Sequence, residues 1–187
     1  MSDVRKILVT GASGYVGGRL VTSLLEDNAQ VRVFVRDANK AQSHSWASKV
    51  EIAVGNASDY QSTLKALTGI HTAFYLLHSI NSGTNFDKIE SEMARSFAKA
   101  AQEANVQQII YLGGINNDAK TSKHLKSRAD TGKELATTNV AVLELRAGII
   151  IGSGSASFEM LRHLTHRLPI MTTPKWVMNR THPIAIR

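Results

Sequence analysis

A short β-branched run, Val4 to Thr10, passes without a break into Gly11-Ala12-Ser13-Gly14-Tyr15-Val16-Gly17-Gly18 and then into Val16, Leu20, Leu24 and Leu25 at helical spacing. A strand that turns straight into a helix through spaced glycines restricts the fold more than any other stretch of the chain. Gly11 permits a tight turn, Gly14 lets a ligand approach the backbone, and Gly17 lets the helix pack closely on the strand. The backbone N–H groups at the helix start then face an anion. With a strand before it and an amphipathic helix after it, the loop predicts a dinucleotide pyrophosphate site at Gly11, Ser13, Gly14, Tyr15, Val16 and Gly17.

The rest of the chain repeats that alternation. Val31 to Val35, Val50 to Val54, Thr72 to Leu77, Gln108 to Leu112 and Ala141 to Ile151 read as further strands. Helical stripes lie between them: Leu64 and Leu67, then Phe86, Ile89, Met93, Phe97, Ala100 and Ala104. Strands this apolar have no face for water, so the sheet is parallel and covered by helices on both sides. The expected class is α/β, a Rossmann-type doubly wound sheet. Asp59 is placed to cap the third helix and Gly69 to end it. Asn39 to Lys49 and Ile80 to Asn85 read as polar surface loops. All the prolines, Pro169, Pro174 and Pro183, fall late, after a helix expected to turn Phe158, Leu161, Leu164 and Leu168 inward.

A chain of 187 residues with 43% hydrophobic and 20% charged residues can bury one sizeable core, which excludes a disordered or collagen-like chain. The absence of cysteine removes thiol nucleophiles, disulfides and cysteine zinc sites and fits a reducing compartment. No run approaches the roughly 18 apolar residues of a membrane span. A first strand at Val4 leaves no room for a signal peptide, so a cytoplasmic protein without a membrane partner is expected. The net charge of +7 suits a phosphate-rich ligand. It also suits nucleic acid, but no recognition-helix or RNA-binding motif accompanies the basic residues, and no nucleic-acid partner is expected. His163 and His166 lack a third ligand at a metal spacing, so no metal is expected.

The second strand ends at Arg36, 19 residues beyond Gly17, where an acidic side chain would hold the ribose hydroxyls of NAD. A guanidinium there suits a 2′-phosphate, whereas Asp37 next to it suits NAD. NADP is the expected cofactor, with NAD as the alternative.

These motifs resemble the atypical extended short-chain dehydrogenase/reductase superfamily, in its NmrA-like NAD(P)-binding branch. The resemblance spans essentially the whole chain and is carried by the glycine loop, Val35-Arg36-Asp37, Leu76-Leu77-His78-Ser79, Tyr111-Leu112-Gly113-Gly114, His124-Leu125-Lys126-Ser127-Arg128 and Glu144 to Gly152. It implies that Asn56 and Ala57 lie near adenine, Leu77 and His78 near the ribose, and Ala147, Gly148 and Ile149 near nicotinamide. It also implies a Rossmann domain over residues 1–152. Residues 153–187 then resemble the start of a substrate region that is cut short, with Arg180 to Ile186 returning to the core.

The chain departs from the family pattern at three places. Gly55-Asn56 replaces Gly-Asp, which keeps hydrogen-bonding capacity and loses a charge. Gly113 or Gly114 stands where active members carry a serine. The Tyr-x-x-x-Lys pair is replaced by His124-x-x-x-Arg128 at the same spacing on one helix face. Histidine titrates near neutrality and arginine stays charged, so His124 and Arg128 offer the roles of the catalytic pair in outline; the alternative is a polar helix face on which His124, Lys126 and Arg128 meet cofactor phosphate or water. Two functions follow: an NADP-preferring oxidoreductase or epimerase-like enzyme on a small-molecule substrate, or a non-catalytic NAD(P)-binding redox sensor with a regulatory protein partner.

Overall fold

The computed structural model describes residues 5–78, 86–115, 122–168 and 182–186, without the side chains of Ala156, Ser157 and Leu161. Six strands form one sheet: β1 (Lys6–Thr10), β2 (Gln30–Val35), β3 (Glu51–Val54), β4 (Thr72–Tyr75), β5 (Gln108–Gly114) and β6 (Ala141–Ala147). Their spatial order is β3-β2-β1-β4-β5-β6, with parallel pairing at β1–β2, β1–β4, β2–β3 and β4–β5. This is the expected Rossmann-type α/β fold. The connecting helices are α1 (Tyr15–Glu26), α2 (Ala38–Gln42), α3 (Tyr60–Leu67), α4 (Phe86–Glu103) and α5 (Lys123–Leu135).

Alternate residues of β1, β2, β3 and β4 enter opposite cores, whereas β5 and β6 join one core only and Leu143 and Leu145 of β6 are exposed. Leu8, Phe34, Ala73, Tyr75, Ile109 and Tyr111 join Leu67, Phe97 and Leu135 on one side. Val9, Val33, Val35 and Phe74 join Val21 and Trp46 on the other. Strands buried on both faces have no polar alternation, which is why they read as continuous apolar runs. Asp59 caps α3 by accepting from the N–H groups of Gln61 and Ser62, at 3.3 and 3.1 Å. Gly69 follows at φ +75°, a left-handed conformation that suits glycine just past a helix end.

The strand order reverses between β1 and β4, and ligands of open α/β sheets bind beyond the carboxyl ends of strands at such a point. Thr10 fastens the two strands there. Its Oγ1 donates to the Phe74 carbonyl at 3.0 Å and accepts from the Leu76 N–H at 2.9 Å.

The structure corrects several local expectations. The segment Asn39 to Lys49 is not a polar loop: it carries α2 and a 3₁₀ turn at Ala47–Lys49, and it buries Ala41 and Trp46. Trp46 stacks on His44 with ring centroids 4.7 Å apart, so a few apolar anchors decide the structure of a polar stretch. The fourth strand ends at Tyr75, two residues early, where the chain leaves the sheet to line a cleft. On α4 the position buried beside Met93 is Glu90, whereas Ile89 is 40% exposed. Ser79 and the stretch from Ile80 to Asn85 lie outside the described residues, as do Val4, Pro169 and Pro174.

The chain divides into two compact units, Met1–Arg146 and Ala147–Arg187. The run Ala141 to Ile151 is therefore not one strand: β6 ends at Ala147, and Ile150–Ile151 (β7) pairs instead, in parallel, with Ile184–Ala185 (β8). The second unit also holds α6 (Ala156–Arg167). Leu164 and Leu168, expected to turn inward, are 40% and 45% exposed. Among the described residues no helix is long and apolar enough to cross a membrane.

Candidate cofactor cleft and adjoining pocket

The glycine loop is built by close backbone approach. Gly11 has φ +67°, and a Cβ there would sit 2.7 Å from the Leu76 carbonyl oxygen. At Gly17 a Cβ would lie 2.2 Å from the Gly11 carbonyl oxygen, so any side chain would push α1 away from the loop. The Gly14 N–H donates to the Gly11 carbonyl at 2.9 Å and closes the turn. Gly14 is also the N-cap of α1, and no side chain caps that helix. Gly11, Ser13 and Gly14 line a cleft of about 680 Å³, within the usual range for small-molecule and cofactor sites.

The carboxyl ends of β2, β3 and β4 supply the other walls. Arg36 lines the cleft immediately after β2. Its neighbour Asp37 is committed to the next helix. The Asp37 Oδ1 accepts from the N–H groups of Asn39 and Lys40, at 2.9 and 3.2 Å, and so caps α2. After β3, Gly55, Asn56 and Ala57 form the wall. Gly55 fits tightly, since a Cβ there would meet Phe34 Cε2 at 2.9 Å and Ser62 Cβ at 2.8 Å. The Asn56 Oδ1 accepts from the Ser58 N–H at 3.1 Å, a turn that either an amide or a carboxylate closes, so losing the charge leaves the local geometry intact. After β4, Leu76, Leu77 and His78 complete the cleft, with Ile89 and Met93 of α4 beside them.

His78 also opens onto a second cavity of about 250 Å³, lined with it by Glu90, His124 and Arg128. Burial pushes the His78 imidazole pKa down to about 4, helped by the charge of Arg128 and opposed by Glu90, so the ring is neutral at neutral pH. Glu90 is 6% exposed and accepts a hydrogen bond from the hydroxyl of Ser127, itself buried on α5. His124 is exposed and stacks on Phe86 at the start of α4, with centroids 4.7 Å apart. Arg128 follows one turn later, and its backbone carbonyl accepts from the hydroxyl of Tyr111 at 2.9 Å. Burial pushes the Tyr111 phenol up to about 12, so it stays protonated and holds α5 against β5.

Gly113 and Gly114 are the last residues of β5, not residues after it, and both pack against side chains. A Cβ on Gly113 would lie 2.5 Å from Glu144 Oε1, and one on Gly114 would lie 2.8 Å from Leu125 Cδ2. Neither glycine leaves room for a side chain without a shift of its neighbour.

The sequence profile of a family described as NAD(P)H-binding matches residues 11–145. The chain belongs to that family. With the fold, this bears out the resemblance to atypical short-chain dehydrogenases/reductases. Over 120 residues the chain is 32% identical to a 3-beta-hydroxysteroid dehydrogenase of Mycolicibacterium neoaurum, covering 59% of this chain and 32% of that protein. It is 24% identical over 190 residues to a ceramide reductase of Caulobacter vibrioides, covering 99% of this chain and 58% of that protein. Among solved structures, the triphenylmethane reductase of Citrobacter sp. complexed with NADP(H) superposes with a TM-score of 0.72 at 24% identity, over 86% of this chain and 55% of that one. The NADPH-dependent quinone oxidoreductase of Escherichia coli superposes with a TM-score of 0.68 at 23% identity, over 86% and 54%. The chain thus spans little more than half the length of these solved structures, and a third to three fifths of the two curated relatives.

In this NAD(P)H-binding chain the cleft brings together Gly11, Ser13, Gly14, Arg36, Asn56, Ala57, Leu77 and His78, and the second cavity brings His124 and Arg128 to His78. Gly17 shapes the loop from behind. Tyr15 and Val16 begin α1, and the Tyr15 ring carries the Arg19 guanidinium 4.9 Å from its centroid. Ala147, Gly148 and Ile149 belong to the second unit. Ile89 reads as core from its helical spacing, and Glu90 gives no signal in the sequence that it lines a cavity. An acidic residue within a helix signals solvent, and the hydroxyl that holds Glu90 comes from a residue 37 positions away.

Proposed function

We propose that the chain binds NADP(H) in the cleft and serves an oxidoreductase or epimerase-like reaction of the NmrA-like branch, on a small carbonyl or hydroxyl compound. The observation that carries this reading is the division of labour at the end of β2: Arg36 faces the cleft while the Asp37 carboxylate is occupied by the first turn of α2. A guanidinium matches a 2′-phosphate in charge and in hydrogen-bond geometry. Gly11, Ser13 and Gly14 would hold the pyrophosphate, Asn56 and Ala57 the adenine, and Leu77 and His78 the ribose side. The bound cofactor supplies the hydride.

His124 and Arg128 would then take the positions of the family's tyrosine and lysine. The imidazole holds the proton that a carbonyl oxygen needs as it becomes a hydroxyl, and the guanidinium fixes that oxygen without exchanging a proton. The test is oxidation of NADPH against a panel of neutral ketones, quinones and aldehydes. His124→Ala should abolish turnover and leave NADPH affinity unchanged; unaltered turnover in that variant removes His124 from the reaction.

A second reading rests on Gly113 and Gly114, which offer no hydroxyl to orient a carbonyl where active members of the family carry a serine. It makes the chain a cofactor-binding redox sensor whose regulatory partner prefers one oxidation state. Retained NADPH binding, no turnover across the panel, and a partner captured only with one redox form would favour it.

A further inference from the structure

The cavity beside His78 contains a buried carboxylate for which neither reading above has a use. We propose that Glu90 is a specificity-determining residue, which makes this cavity accept a neutral hydroxyl or carbonyl group and reject a carboxylate or phosphate. The proposal deepens the reading of the cleft as an NADP(H) site, since it names the class of group held where the cleft and the cavity meet.

Among the described residues, Arg128, Glu90, His78 and His124 line the cavity, which brings a guanidinium, a carboxylate and two imidazoles to one place. Left alone, a guanidinium in a partly enclosed site recruits carboxylates and phosphates, often through two parallel hydrogen bonds. Glu90 opposes that preference. Its carboxylate is held by the Ser127 hydroxyl, and at 6% exposure it cannot swing out into water to make way for an anion. An anionic group bound by Arg128 would therefore face a like charge in a medium less polar than water, where such contacts are costly.

A neutral oxygen meets no such conflict. A carbonyl accepts from Arg128 and from an imidazole N–H of His78, which is neutral at neutral pH. A hydroxyl does the same and also donates to Glu90. Both oxidation states of a carbonyl/alcohol pair thus find partners in one cavity, whereas a carboxylate finds a repelling wall.

Acetamide and acetate test this, being nearly isosteric and differing in charge. Each is titrated into the full chain, with and without saturating NADP⁺, and followed by ligand-observed NMR. The native chain is expected to bind acetamide and to discriminate against acetate by at least about tenfold. Glu90→Gln keeps the size of the side chain and an oxygen for Ser127, and is expected to reverse the preference, with NADP⁺ affinity unchanged. Equal binding of the two probes by the native chain overturns the proposal, as does an unchanged ratio in Glu90→Gln or failure of either protein to bind either probe. Ser127→Ala separates the role from simple packing: it removes the hydrogen bond between α4 and α5 and should lower stability while keeping the native preference. Loss of NADP⁺ binding by the native chain would count against the cofactor reading alone, because the comparison without cofactor still reports on Glu90.

Discussion

The two ends of the cleft are made in different ways. At the glycine loop the site is backbone: a left-handed Gly11, a Gly17 with no room for a methyl group, and a threonine hydroxyl that ties β1 to β4. In the adjoining cavity onto which His78 opens, the site is side chain: an imidazole, a carboxylate, a second imidazole and a guanidinium from the segment after β4 and two helices. A backbone site tolerates almost no change at its glycines and leaves a fixed spacing in the chain. A side-chain site can exchange its chemistry while the helices beneath it stay in place.

The largest effect is expected from Gly17→Ala. Its methyl carbon would lie 2.2 Å from a carbonyl oxygen of the loop, so the backbone must move. A loss of roughly 3 kcal/mol, together with loss of cofactor binding, is the expected result in denaturant melts and NADPH titration. If the variant keeps both stability and NADPH affinity, the loop is not held by close approach and the contrast between the two ends fails.

An intermediate effect is expected at the other end. The folded pKa of His78, about 4, lies below its ordinary value of 6.5, so the unfolded chain binds the extra proton first. The stability linked to this ring is complete above about pH 6.5 and is lost as pH falls toward 4. The ring is partly exposed, so about 3 kcal/mol is an upper bound on the contribution. His78→Gln should flatten the acid limb of the stability curve across that window; an unaltered limb would show that the ring is hydrated.

The smallest effect sharpens the assignment at β2. Asp37→Ala removes the cap of α2 and should lower stability by about 1 kcal/mol, read by thermal melting. The preference between NADPH and NADH should not change. A large change in that preference would assign Asp37 to the ribose and not to the helix.

Much of the fold was legible because its signals are local. Thr10 to Gly18 announces a strand, a turn and a helix within a few residues, and Asp59 and Gly69 mark the ends of α3 by their own side-chain and backbone chemistry. Arg36 was legible for the same reason, as it follows the second strand directly. What escaped depends on partners distant in the chain. Glu90 sits at a polar step of an amphipathic helix, and only the approach of α5 turns that step into a buried wall. Trp46 orders a stretch whose composition is otherwise that of a loop. The break after Ala147 falls at Gly148, but a single glycine inside an apolar run is equally compatible with a bulge in one continuous strand. Only the pairing of Ile150 and Ile151 with a segment more than thirty residues later, at Ile184 and Ala185, separates the two cases.

The central claim, that the cleft is an NADP(H) site read by Arg36, is tested most directly by calorimetric titration of NADPH and NADH into the native chain and into Arg36→Asp. The account expects the native chain to bind NADPH more tightly than NADH. The substitution should weaken NADPH by about ten- to a hundredfold, the worth of a charge-assisted hydrogen bond, and leave NADH nearly unchanged. Equal affinity for both cofactors in the native chain, or equal losses for both in the variant, would contradict it.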